Sequence, residues 1–430
     1  MNKKIINISS SKVLLKNGKI LNVLNGKASI KDILIENGKI VEVGKIENND
    51  SYILIDCNKK IVTQAFVDVH THFRTPGVGD QETFISGSNA ALSGGYSKVC
   101  IMPDTNPILD TPEMIEFIIN QSSKLPVNIH PIGAVTKKIN GMDMAELGSM
   151  INSGAVAISD ANNTLMNSQV ARYAIEYAKM FEVPFINHPE NIDLVNKGSM
   201  NESITSNDLG VSGNPTIAES VMVYRDLEIA NYVKGKIHIP NVTCSESINL
   251  IHSYKKKDTD VTCEVSPQHL FFKDSDLNTY DSNLKISPPL RSQQDIDNLI
   301  KGLKDGIIDC ISSSHFPNRF DDKDKDFYHA ESGVISLETA FAATHTILSE
   351  NNFSIDSILN LFSLNPSRIM NLELCDMKLG SIAELVVIDP NKKWTFTNKD
   401  IYSKSQNTPF LNKELKGKVE FTINKNFLFG

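Results

Sequence analysis

The segment Phe66-Val67-Asp68-Val69-His70-Thr71-His72-Phe73-Arg74-Thr75-Pro76-Gly77 joins a short apolar run to a polar, turn-forming end. In an extended chain, residues two apart face the same way. The imidazoles of His70 and His72 therefore converge on one point, and two converging imidazoles suit a divalent metal. Arg74, two residues further on, adds a planar cation suited to a carboxylate through two parallel hydrogen bonds. Metal and anion chemistry are thus expected at one strand end.

The elements that must position these groups alternate. Strands are expected at Ala65–His70, Lys98–Met102, Val127–Ala134, Ala155–Ser159, Pro184–His188, Lys236–Val242, Val261–Ser266 and Ile307–Ser313. Helix-like stretches lie between them, among them Thr111–Gln121, Ser168–Lys179, Thr216–Val233 and Ser332–Leu348. Every connection is long enough for a helical crossover. The fold class is therefore α/β, a (β/α)8 TIM-like barrel over residues 63–375. The ends differ in texture. From Val13 to Val62, and again in Glu384–Pro390 and Lys418–Ile423, short apolar runs alternate with turn signals such as Asn-Gly. That is the pattern of antiparallel strands, so residues 1–62 and 376–430 are expected to build one composite sheet.

Barrels of this kind carry reactive groups where strands end. Those positions hold His70 and His72, then Asp104, Asp160, His188, Asn241, and Ser314 with His315. His70, His72, Asp160 and His188 supply three nitrogen ligands and one hard oxygen ligand, a mixture suited to zinc. A carboxylate between two ions would bridge them and favour hydroxide from a shared water. The chemistry implied is metal-assisted hydrolysis of an amide-like bond in a small acid.

The chain has 430 residues, is 40% hydrophobic and carries a net charge of −8 with its lysines dispersed, which reads against nucleic acid or an anionic membrane as partner. No apolar run is long enough to cross a bilayer. Met1–Ser11 has no apolar leader core. Six scattered cysteines suit buried free thiols in a reducing, cytoplasmic compartment.

Several segments together resemble the dihydroorotases of the amidohydrolase superfamily, in particular the long bacterial type. His70-Thr71-His72-Phe73-Arg74-Thr75-Pro76-Gly77 is similar to the family's HxHxRxPG signature, and Gly94–Pro107 to its GGFTTVxxMPNTxP segment. Asn187-His188-Pro189-Glu190, Gly213–Glu219 and Ser403–Phe410 are similar to its NHxE, GxPxxAE and SKSxNTPF segments. The resemblance implies a zinc-dependent cyclic amidohydrolase of pyrimidine synthesis that interconverts carbamoyl aspartate and dihydroorotate. It also implies a small-molecule substrate, a homodimer, and, for a non-catalytic member, a role supporting aspartate carbamoyltransferase.

Residue by residue, it carries metal ligation onto His70, His72, Asp160 (bridging and catalytic) and His188, and binding of the substrate carboxylate onto Arg74. The chain departs from the family elsewhere. Asn241 stands at a metal histidine, Ser314 at the catalytic aspartate base, and Asp104, Ser287 and Asn318 at substrate-binding positions. Serine cannot accept a proton near neutrality as a carboxylate does, and losing a positioned base costs roughly 10²–10⁴-fold in rate. Asn241 is a weak ligand beside imidazole, so a second ion would be loosely held.

Overall fold

A computed structural model describes residues 4–430; of the segment Met1–Ser11, residues 1–3 lie outside the described part. Eight parallel strands form the barrel: β1 (Phe66–Thr71), β2 (Tyr96–Ile101), β3 (Asn128–Pro131), β4 (Ile158–Ser159), β5 (Phe185–Ile186), β6 (Ile237–Ile239), β7 (Val261–Val265) and β8 (Cys310–Ile311). β1 to β3 pair in order, as do β4 to β8. Parallel bridges from Gly133 to Ile158 and from Thr71 to His315 join the two sets and close the ring.

A helix follows each strand: α1 (Phe84–Gly94), α2 (Pro112–Ser122), α3 (Leu147–Asn152), α4 (Ser168–Met180), α5 (Thr216–Val233), α6 (Ser245–Lys255), α7 (Gln293–Lys304) and α8 (Ala340–Glu350). Local sequence sets their ends. Thr83 and Ser86 cap α1 reciprocally, and the Asn167 side chain accepts from the Gln169 and Val170 amides to start α4. In α4, Val170, Ala171, Ala174, Ile175 and Ala178 recur at helical spacing and form the buried stripe.

The second layer is a nine-stranded sheet drawn from both ends of the chain. Glu384–Thr395 pairs with Glu414–Asn424 on one side and with Ile61–Gln64 on the other, so the two termini interleave. Phe66 ties sheet and barrel together. It is fully buried, with ring centroids 5.6, 5.3 and 5.1 Å from Tyr96, Phe341 and Phe362. Phe66→Ala should cost about 3–5 kcal/mol of stability through the cavity left behind. Denaturant melts read this directly; a loss below about 1 kcal/mol would mean that the cluster collapses to fill the gap.

Three expectations change. The runs on either side of Asn17-Gly18 are not separated by a turn. Lys12–Asn22 is one strand with a register shift between Leu15 and Gly18. Asn17 there adopts a φ of 60° and its amide donates to Asp32, so the Asn-Gly pair makes a bulge. The helix expected from Ser332 begins only at Ala340, because Val334 bridges to His315 and the Ser336 hydroxyl donates to the Ser313 carbonyl. The last barrel strand is cut to Cys310–Ile311, with the polar residues beyond it given over to loop contacts. All six cysteines are buried and unpaired. No helix among the described residues is long and apolar enough to cross a membrane.

Candidate active site

The two imidazoles of β1 converge as their spacing requires, with His70 Nε2 and His72 Nε2 3.2 Å apart and both rings buried. Each outer nitrogen is held by a carboxylate. His70 Nδ1 lies 2.6 Å from Glu264 on β7, and His72 Nδ1 lies 2.9 Å from Asp104 beyond β2. This is how metal-ligating histidines are oriented. The inner separation also fits, since two nitrogens about 2.0–2.1 Å from one tetrahedral zinc sit roughly 3.3 Å apart.

Charge and protons settle into a consistent pattern around the pair. Burial would raise the Glu264 carboxyl, but His70 and His238 outweigh it and hold Glu264 at about 2. Burial acts the same way on Asp104, and His72 and Arg74 bring it down to about 2. Burial pushes His72 down to about 4, with the positive charge of His70 and Arg74 adding to it. His70 is raised despite burial, because Glu264 favours its cation. Burial thus favours the neutral form of His72, while Glu264 favours the cation of His70.

Asp160 and His188 have hydrogen-bond partners of their own. Asp160 faces the end of β3. One oxygen accepts from the amides of Val135 and Thr136 at 2.9 Å, and the other takes the Thr136 hydroxyl. Ala161, not Asp160, takes the left-handed turn after β4 (φ 53°), and its methyl packs inside the barrel with Val69, Cys100 and Ile186. His188 Nε2 is held by Glu190 at 2.6 Å, and its buried Nδ1 has no partner. Burial raises the Glu190 carboxyl, but His188, Ser287 and Asn214 bring it to about 2. Ser287 is thus engaged, donating to Glu190 at 2.6 Å.

Asn241 and Ser314 are also left-handed residues after their strands, with φ of 47° and 52°. Strained backbone of this kind marks functional positions, yet the two side chains satisfy each other. The Asn241 amide donates to Ser314 Oγ at 2.7 Å, and Ser314 Oγ lies 3.0 Å from Asn241 Oδ1. His315 offers no substitute base, because it is fully buried with Nδ1 accepting the Ser336 amide and Nε2 facing Glu82. Asn318 is turned to the Ser332 carbonyl.

Arg74 is occupied as well. Its guanidinium donates to Asp104 at 2.7 Å and to Gln81 at 3.0 Å. Phe316 covers the pair, its ring 4.3 Å from the His72 ring and 5.0 Å from the Arg74 guanidinium. Gly333 backs this ring with φ 130°, where a Cβ would meet Phe316 at 2.6 Å. The cavity left between His70, Asn241, Gln268, Ser287 and Phe316 is about 30 Å³. Small-molecule sites hold roughly 300 Å³ or more.

Among the described residues, the three-ligand group with donor atoms all within 4.8 Å of one another is His238, Glu264 and Cys310. Both oxygens of Glu264 already face imidazoles, so this group reads as support for His70 rather than a separate metal centre. His70 and His72 present two nitrogens at the spacing of ligands to one ion, and the buried Nδ1 of His188 is left without a partner. Zinc uptake, measured by dialysis, should disappear in His70→Ala/His72→Ala and be unchanged in Asp160→Asn. Equal losses in both would place Asp160 back among the ligands.

Glu264 and Phe316 were not singled out from the sequence, and Glu190 entered only as the last residue of the NHxE-like segment. Glu264 had a signal, a lone carboxylate inside the apolar run Val261-Thr262-Cys263-Glu264-Val265. Phe316 had none, since an aromatic in a loop is ordinarily packing.

Comparison with known proteins agrees with the geometry of the scaffold. Residues 59–247 match the family model described as dihydro-orotase-like. The chain is similar to the dihydroorotase of Caldicellulosiruptor saccharolyticus, 39% identical over 96% of each chain. It is also similar to that of Ruminiclostridium cellulolyticum, 38% identical over 96% of this chain and 97% of the relative. In fold it resembles the L-hydantoinase of Arthrobacter aurescens, with a TM-score of 0.84, 20% identity, and coverage of 97% of this chain and 95% of that one. Signature, barrel and relatives agree, and the chain belongs to the dihydroorotase family.

Proposed function

We propose that this protein is a dihydroorotase-family barrel that no longer interconverts carbamoyl aspartate and dihydroorotate, and that it serves pyrimidine synthesis as a non-catalytic subunit supporting aspartate carbamoyltransferase. The observation that carries this reading is the closed pair of Asn241 and Ser314. At the place where a carboxylate base and a metal ligand would face the substrate, two neutral side chains use each other's hydrogen-bonding capacity. Arg74 supports the reading from the other side, because Asp104 neutralises the cation that would bind a substrate carboxylate. The scaffold meanwhile is intact and closed, as a structural role requires.

A second reading has one specific support. The His70–His72 pair, backed by Glu264 and Asp104, has the geometry of two zinc ligands. It corresponds to a weak, single-zinc dihydroorotase in the cytoplasm. Co-expression with the same cell's aspartate carbamoyltransferase separates the two roles. A stable co-purifying complex is expected, and failure to associate under native conditions would remove the subunit role.

A further inference from the structure

A cavity of about 720 Å³ opens between the terminal sheet and the barrel helix α8, and it shares no residue with the one beside His70. Lys19, Lys59, Lys60 and Lys416 line it, and no aspartate or glutamate does. Backbone pairing brings these lysines together from distant sequence. Lys19 lies next to Ile61 in parallel register, and its amide donates to the Lys60 carbonyl at 3.0 Å. Lys59, in the turn before it, is left-handed with φ 60°. Lys416 comes from the other end of the chain, its amide fixed to the Thr346 hydroxyl of α8 at 2.8 Å. The ammonium groups have neutral acceptors. Lys60 Nζ donates to the Asp56 carbonyl at 2.8 Å, and Lys416 Nζ to the Ser349 hydroxyl at 3.3 Å. Four cations around one concavity, with no carboxylate in its lining, focus a positive potential in a chain whose net charge is −8.

His345 of α8 points independently to a ligand. It lines the same cavity and is only 5% exposed. Its ring stacks on Phe341, and Nε2 lies 2.9 Å from the Pro390 carbonyl. A carbonyl only accepts, so Nε2 carries the proton. Burial, with the charge of Lys416, favours the neutral ring, which leaves Nδ1 a bare acceptor. That buried nitrogen has no partner, and buried acceptors ordinarily have one. Ile30, 78% exposed, and Ile355 add apolar surface to the lining. We propose that this cavity binds a nucleoside polyphosphate. The lysines take the phosphate oxygens, His345 Nδ1 accepts from a ligand hydroxyl, and the isoleucines lie against the base. The volume falls within the roughly 300–1,000 Å³ of small-molecule sites. A bare phosphate would leave Nδ1 and the apolar lining unused. A longer nucleic acid would need a basic track running beyond the cavity, which the dispersed lysines of this acidic chain do not supply.

Isothermal titration of the full chain with ATP, UTP and inorganic pyrophosphate, at about 0.1 M salt so that charge is not fully screened, tests this. At least one of the two nucleotides is expected to bind once per chain and more tightly than pyrophosphate. Lys59→Glu/Lys416→Glu should weaken nucleotide binding at least about tenfold, with circular dichroism and thermal midpoint unchanged. Lys301→Glu/Lys304→Glu makes the same change of net charge on the exposed side of α7 and should leave binding intact. His345→Phe should bring the nucleotide affinity down towards that of pyrophosphate and leave pyrophosphate binding as it was. No binding of either nucleotide would overturn the proposal. Equal loss in the α7 variant would overturn it too, because the effect would then belong to net charge and not to this cavity. Pyrophosphate binding as tightly as both nucleotides would rule out recognition of the nucleoside, and a single-stranded oligonucleotide binding more tightly than either would replace the proposed ligand with nucleic acid.

Discussion

A chain carrying Asp104→Asn together with Ser314→Asp should hydrolyse dihydroorotate in zinc at least about 10²-fold faster than the unsubstituted protein. Asp104 lies 2.7 Å from Arg74 and also holds His72. An amide there would still orient His72 through its oxygen while leaving the guanidinium net positive for a carboxylate ligand. Ser314 already occupies a left-handed turn pointing at Asn241, so an aspartate side chain would start from the position a base needs. The two changes act on binding and on proton transfer, so each alone should give less than the pair. Steady-state rates on the three variants and the parent read this out. No gain in the double variant would mean that the Phe316 cover and the hold of Thr136 on Asp160 dominate.

The second large effect is on stability. Arg291 is 2% exposed, and its Nε donates to Thr243 at 3.0 Å while one terminal nitrogen donates to Asn201 and to the Asn214 carbonyl. Glu219, fully buried, lies 4.0 Å from the other terminal nitrogen and accepts the Thr243 amide at 3.0 Å. This buried charge network joins α5, the β6 loop and the segment before α7. Arg291→Ala leaves Glu219 as an uncompensated buried anion, which should cost about 3–5 kcal/mol. Arg291→Ala with Glu219→Gln should recover part of that loss, since the orphan charge is then removed. Denaturant midpoints on the single and double variants measure both. A single-variant loss under about 1 kcal/mol would show that solvent reaches Glu219.

Much of the scaffold was legible because barrel strands and helices carry period and punctuation. Thr216–Val233 matches its observed helix to the residue, since an uninterrupted helical pattern fills it. Asn17-Gly18 misled because the same dipeptide serves a hairpin turn or a bulge, and only pairing with Lys31 and Asp32 decides. Ser332–Ala340 misled because tertiary bonds to Ser313 and His315 override local preference.

The site divided along similar lines. The convergence of His70 and His72 was readable because alternation along a strand is fixed by backbone geometry, whereas Arg74 lies beyond the strand with a φ of 57°. The ion pair of Asp104 with Arg74, 2.7 Å, joins residues 30 apart and depends on the loop after β2. The engagement of Asp160 by Val135 and Thr136 joins residues 24 and 25 apart, which no residue type announces. The pairing of Asn241 with Ser314 joins residues 73 apart in sequence, which only the closed barrel brings together.

The most direct test of whether this barrel turns over is an assay on the zinc-loaded, unsubstituted protein, run in both directions from carbamoyl aspartate and from dihydroorotate. The geometry predicts a rate at least about 10²–10⁴-fold below a dihydroorotase with an intact base, and unchanged by His70→Ala/His72→Ala. A rate comparable to such an enzyme, abolished by that double substitution, would contradict the account and establish this barrel as a working hydrolase.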